Sequence, residues 1–169
     1  MTIADGIYSP EPETIQSLAV GFARMMFAHA GFESEVRLLQ DAIANEPGYS
    51  ETPQKQFRNA NKRPAEMARL IRQKLGEIPE SDEIVLCLRA AIEPCRERNR
   101  LAYGEWWRFD PKTKTITVRA GERREGEPMH KDYHEADMLR ITDKFEDIAT
   151  ELCKLRRAVQ KYHAPPSLE

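Results

Sequence analysis

Arg98, Asn99 and Tyr103 are the residues whose types and spacing best suit chemistry in this chain; they lie in the run Arg98-Asn99-Arg100-Leu101-Ala102-Tyr103-Gly104. A guanidinium is a planar fork of donors that grips phosphate oxygens in pairs. Asparagine offers a donor and an acceptor beside it. A phenol with a pKa near ~10 stays protonated at neutral pH, so it donates a hydrogen bond but is a poor base unless strongly perturbed. The trio therefore suits holding a phosphate better than moving a proton. The plain alternative is that Arg98, Asn99 and Tyr103 pin a helix end, with the arginine on carbonyls and the ring packed at the rim.

The surroundings favour an anion. Arg96 and Arg100 flank Arg98, and Trp106 and Trp107 follow within a few residues. Exposed indoles stack on bases, and a basic group beside them attracts phosphate. Arg96, Arg98, Arg100 and Trp106 are thus the candidate nucleic-acid contacts, although strand alternation should send one of the two tryptophans into the core. Other basic groups (Lys55, Arg58, Lys62 and Arg63; Arg119, Arg123 and Arg124; Lys154, Arg156, Arg157 and Lys161) are interleaved with acids. The last of these reads as a solvated helix face. The formal charge of −2 argues against a generic polyanion binder while leaving room for a local patch.

Other constellations are weaker. His130 and His134 have four-residue spacing but straddle an expected helix start at Asp132, so they should not share a helical face. His29 falls among core positions and reads as a satisfied core or rim histidine. Cys87, Cys95 and Cys153 are odd in number and lack C-x-x-C spacing, as expected of buried thiols in a reducing cytoplasm. No metal or cofactor is expected. Neither nucleotide-binding glycine loop, G-x-x-x-x-G-K-[ST] or strand-bound G-x-G-x-x-G, occurs, and neither does H-E-x-x-H or G-x-S-x-G. No apolar run approaches the ~18 residues of a membrane helix, and the N-terminus lacks a signal-peptide core.

These residues need elements to position them. A chain of 169 residues, 40% hydrophobic and 32% charged, suits one soluble domain. Pro12 opens a long amphipathic helix whose inward side is Ile15, Leu18, Phe22, Met25, Phe32, Val36, Leu39 and Ile43, with a bend or break expected at Gly31. Residues 45–60 read as a loop. Asn61 should cap a helix carrying Met67, Leu70, Ile71 and Leu75, stopped by Gly76. A third helix starts at Ser81 and Asp82, buries Ile84, Leu88, Ala91, Ile92 and Cys95, and should kink at Pro94. Its apolar stripe turns polar at Arg98 and Asn99. Gly104 then looks like a helix C-cap. Period-two alternation predicts a hairpin within 106–119, turning at Asp110-Pro111-Lys112-Thr113. Residues 120–131 read as an exposed loop. A capping box of Asp132 and Glu135 should open the last helix, continuous over 134–162, with a seam of Met138, Ile141, Phe145, Ile148, Leu152, Leu155, Val159 and Tyr162. That seam could serve a bundle or a dimer, and in a chain with other amphipathic helices a bundle is the simpler use. The expected fold is mainly α: a helical bundle with one β-hairpin inserted before a long C-terminal helix. It spans 12–162, with flexible tails at 1–11 and 163–169.

The motif in this setting resembles the R-N-x-x-x-H motif of the HEPN superfamily, helical proteins that include many metal-independent ribonucleases. Arg98 matches the motif arginine and Asn99 its polar second residue, while Tyr103 stands where the family has histidine. The resemblance implies a homodimer in which arginine and histidine from two subunits meet in a cleft. There the histidine would serve as acid–base group while an RNA 2′-hydroxyl attacks the neighbouring phosphate. With Tyr103 in that place, the expected activity is binding of RNA or a nucleotide with cleavage weakened or lost, in bacterial defence or stress control. An active metal-independent endoribonuclease and a helical interaction scaffold without a nucleotide site are the alternatives. The tyrosine that some nucleotidyltransferase-partnered relatives carry three residues further on is replaced by Trp106.

Overall fold

The computed structural model describes residues 12–52, 57, 59–110, 112–119 and 129–163. Of the expected tails at 1–11 and 163–169, all but His163 lie outside the described residues, as do Lys55, Arg58, Pro111 and residues 120–128 of the expected loop, with Arg123 and Arg124. Helix α1 runs unbroken through Pro12–Ala44, so Gly31 does not break it. A 3-10 turn at Tyr49–Glu51 follows, tied back where the Asp41 carboxylate accepts the Gly48 and Ser50 amides at 3.1 and 2.8 Å. Helix α2 is Arg63–Lys74, α3 Glu80–Ala90 and α4 Ile92–Tyr103. The first residue before α2 is Lys62 rather than Asn61, whose own amide donates to Asn59 Oδ1. Gly76 takes φ +78° just past α2, the left-handed conformation that glycine adopts without strain. Pro94 splits the expected third helix into α3 and α4. It has no amide to donate to the Ala90 carbonyl, and the helix is interrupted at Ala91.

The sheet holds β1 (Glu105–Asp110), β2 (Thr115–Arg119) and β3 (His130–Tyr133) in antiparallel order β1-β2-β3. The predicted hairpin is present, and its turn is an Asx turn in which Asp110 Oδ1 accepts the Lys112 amide at 2.9 Å. The third strand replaces the end of the expected 120–131 loop. It also moves the start of the last helix: Asp132 pairs opposite Thr117 in the sheet, and Asp137 accepts the His134 amide at 3.0 Å in its stead. Helix α5 is Glu135–Gln160, with a 3-10 turn at Lys161–His163. The α-helical part of the last helix is thus shorter than expected at both ends. Tyr162 leaves the seam for the surface and donates its hydroxyl to Glu80.

The core lies between α1 and α5. Leu18, Met25, Phe32, Val36, Leu39 and Ile43 of α1 meet Met138, Ile141, Phe145, Leu152, Leu155 and Val159 of α5, all buried. The seam of the last helix is therefore spent inside the bundle. Each fully buried Phe or Leu here stabilises the fold by about 1.5–3 kcal/mol. Helices α2 and α3 close one side with Met67, Ile71, Ile84 and Leu88, and the sheet caps the end with Ile116, Val118 and Tyr133. No helix among the described residues is long and apolar enough to cross a membrane.

Candidate functional site

Helix α4 carries the motif and leads straight into β1. Its inward side is Pro94, Cys95, Glu97 and Leu101. The apolar stripe thus passes through Glu97 to Leu101 rather than through Asn99, which is exposed. Arg98 is half-buried beside that stripe. Its Nη1 donates to Asn99 Oδ1 at 2.9 Å and to the Tyr103 hydroxyl at 3.3 Å, and its Cζ stands 5.4 Å from the centre of the Tyr103 ring. The three motif residues therefore meet on one surface, held by contacts within a single helix. Tyr103 is 73% exposed. Its oxygen accepts from Arg98, which leaves its own proton free to donate outward.

The arginines differ in how far their charge is already answered. Arg96 reaches Glu93 at 3.7 Å and Asn61 at 3.4 Å. Arg100 acts electrostatically on Glu97 and Tyr133. Arg98 has no carboxylate partner among the described residues, and its Nε is enclosed without a hydrogen-bond partner. Of the three, it is the guanidinium most available to an incoming anion.

Gly104 ends α4, but not as a left-handed cap: its φ and ψ are −76° and 161°. Glycine is required there for room. A Cβ would run into the Arg100 carbonyl and Val118 Cγ1 and would stand 2.8 Å from the Arg119 carbonyl. This close approach lets the chain turn from helix directly into β1 beneath β2.

Neither tryptophan is core, contrary to the alternation argument. Trp106 is 44% and Trp107 58% exposed. The register slips between Trp106 and Arg108, a β-bulge that leaves Trp107 without an opposite residue and breaks the alternation. Trp106 donates Nε1–H to the Leu101 carbonyl at 2.9 Å and meets Phe22 edge-on at 5.6 Å. One edge of its indole thus satisfies the end of α4 while part of the ring stays open. Trp107 packs against His130 and lies under Arg119. His130 is in β3 and His134 precedes α5, so the pair shares no helical face, as expected.

Sequence reasoning missed the group behind the motif. Glu97 accepts Lys131 Nζ at 2.7 Å and the Tyr133 hydroxyl at 2.6 Å. Burial pushes its carboxyl up. The hydrogen bonds from Lys131 and Tyr133, then the charges of Lys131 and Arg100, outweigh burial and hold it below the usual carboxylate range. Burial and the neighbouring carboxylate push the Tyr133 hydroxyl up, so it stays a donor. A signal did exist: Glu97 precedes Leu101 by four residues on the inward side. Its partners lie in a strand that the sequence pattern did not reveal.

His29 is a satisfied histidine, as expected. Its Nε2 lies 3.3 Å from Glu33 Oε1 and its ring stacks edge-on against Phe145. Of the cysteines, Cys95 is buried, while Cys87 and Cys153 are half-buried. No family model matches the chain, and no curated protein or solved structure is similar enough to count as a match.

Proposed function

We propose that this chain is a HEPN-like protein that binds RNA or a nucleotide through Arg98, with cleavage weakened or lost because Tyr103 replaces the motif histidine. The observation that carries this reading is the Arg98 guanidinium. It has no carboxylate partner among the described residues, and it sits on an exposed phenol whose hydroxyl it holds. A phosphate arriving there meets a planar donor fork and, beside it, a hydroxyl able to donate. Arg96 and Arg100 add positive potential, and the open part of Trp106 is a surface for a base. The resemblance further implies a homodimer that brings two Arg98 residues near each other, and a cytoplasmic setting in bacterial defence or stress control.

Binding of a short single-stranded RNA, measured at one low salt concentration, tests the reading. Arg98→Ala should weaken binding by about 1.5–3 kcal/mol, the value of a charge-assisted contact. Arg157→Ala, on an exposed part of α5, should leave binding nearly unchanged. Equal affinities for the wild type and both folded variants would make Arg98 a structural residue. Solution mass with and without RNA reports the dimer, and a monomer at micromolar concentration would remove that part of the reading.

A further inference from the structure

One cluster of ligating side chains lies away from the motif surface and takes no part in the proposed phosphate site. His29 and Glu33 stand one turn apart on α1, where residues four apart are neighbours. Cys95 comes from the first turns of α4, which brings in a third element of chemistry from a distant part of the chain. One ligand atom from each of the three lies within 4.8 Å of the others.

We propose that His29, Glu33 and Cys95 form a zinc site that fastens α4 to α1. The donor set is an imidazole nitrogen, a carboxylate oxygen and a thiolate sulfur, all ligands that zinc takes at about 2.0–2.3 Å. Atoms already within 4.8 Å of one another close onto one ion by side-chain adjustment, with no change of helix position. As the sulfur–zinc bond forms, the Cys95 thiol gives up its proton to solvent. The thiolate and carboxylate then face the two positive charges of the ion together with that of Arg63, which shares the carboxylate.

The surroundings supply the remaining needs. The His29 and Glu33 side chains are 13% and 25% exposed, enough for an ion to enter while the site stays largely out of water. Three protein ligands leave the fourth position of a tetrahedral ion to a water. Arg63 Nη2 lies 2.7 Å from Glu33 Oε1 and 2.8 Å from Oε2. It competes with a cation for this carboxylate, yet a carboxylate has lone pairs for both, and ligating carboxylates commonly keep such an outer partner. Zinc would replace the His29–Glu33 hydrogen bond by two stronger bonds and add a third to α4. Arg98 lies less than one turn beyond Cys95, so the ion would steady the helix that presents the motif.

Cobalt is the spectroscopic probe. Metal-stripped full-length protein should bind Co2+ one to one with a thiolate-to-cobalt charge-transfer band, and Zn2+ should displace it. Cys95→Ser should abolish the band and weaken Zn2+ binding more than about 100-fold, beyond the 10–100-fold that loss of an outer partner costs. Cys87→Ser should keep both the band and the affinity. Zn2+ should also protect Cys95, more than Cys87 or Cys153, from alkylation in the wild type, a readout that stands even where Cys95→Ser fails to fold. Absence of the band at saturating Co2+, its loss in Cys87→Ser, Zn2+ affinity of Cys95→Ser within about tenfold of wild type, or alkylation of Cys95 unaffected by Zn2+ would each overturn the proposal.

Discussion

Along α4, Arg98, Asn99 and Tyr103 look outward and hold one another, whereas Cys95, Glu97 and Leu101 look inward and are held by other elements. The outward contacts span one and five residues of the chain. The inward ones reach 34 and 36 residues away, to Lys131 and Tyr133. An exposed cluster made within one helix costs little to change, because water replaces whatever is lost. A buried carboxylate that gives up a partner leaves a group which water cannot reach, and that costs far more. The difference teaches where variants should act. Substitutions on the outer face should alter binding or turnover at nearly constant stability, and those on the inner face or at Gly104 should alter stability first.

The helix end at Gly104 gives the largest expected effect. Gly104→Ala places a methyl against two backbone carbonyls, neither of which is a flexible side-chain end. The loss should reach about 3 kcal/mol, the upper end of what overpacking costs, read as a lower midpoint in urea. A change below about 0.5 kcal/mol would show that the end of α4 is not pressed against β2 as described.

Tyr103→His sharpens the contrast from the outer side. The ring is exposed, so the midpoint should hardly move. If Tyr103 occupies the position of the family's histidine, RNA cleavage in EDTA should rise by about 10²-fold, since an imidazole exchanges protons near neutral pH and an ordinary phenol does not. Strong metal-free cleavage by wild type, unchanged in Tyr103→Phe and abolished in Arg98→Ala, would instead reveal a working nuclease that does without the tyrosine.

Tyr133→Phe tests the inner side with a smaller change. It deletes one donor to Glu97 while keeping the ring, and should cost about 1.5 kcal/mol, the low end for a hydrogen bond to a charged group. Its pH dependence carries a sign. The Glu97 carboxyl is held below its ordinary value of 4.5 when folded, so its contribution is complete above the unfolded value and is lost as pH falls through the folded one. Tyr133→Phe brings the two values closer. Its stability deficit should therefore be full at neutral pH and shrink as acid protonates Glu97. A deficit that stays constant from pH 7 down to acid unfolding would mean that Tyr133 acts by packing alone.

Much of the fold was legible because amphipathic helices announce themselves locally. The seams of α1 and α5 follow from three- and four-residue spacing, and Gly76 and the Asp110 turn follow from backbone preference. The motif patch was legible for the same reason: Arg98, Asn99 and Tyr103 come together through the geometry of one helix. Pro94 announced a disturbance, and only its form, a full break at Ala91, needed the structure.

What the tertiary structure alone decided involves pairs distant in sequence or atoms competing for space. Strand β3 is four residues of mixed polarity, His-Lys-Asp-Tyr, with no alternation to signal it; it exists because β2 offers an edge and Tyr133 a buried side chain. That strand in turn moved the start of α5 and supplied Glu97 with its partners. The exposure of both tryptophans depends on a bulge, which is a property of strand pairing. Gly104 was readable as a helix end, but its need for glycine comes from Val118 and Arg119 lying across it, atoms whose positions no local pattern reports. The sequence by itself thus determined the helices and the residues of the motif, because both arise from short-range periodicity. The tertiary structure decided which charges are answered, which rings are open and where His29, Glu33 and Cys95 meet, because those depend on how the helices and strands pack against one another.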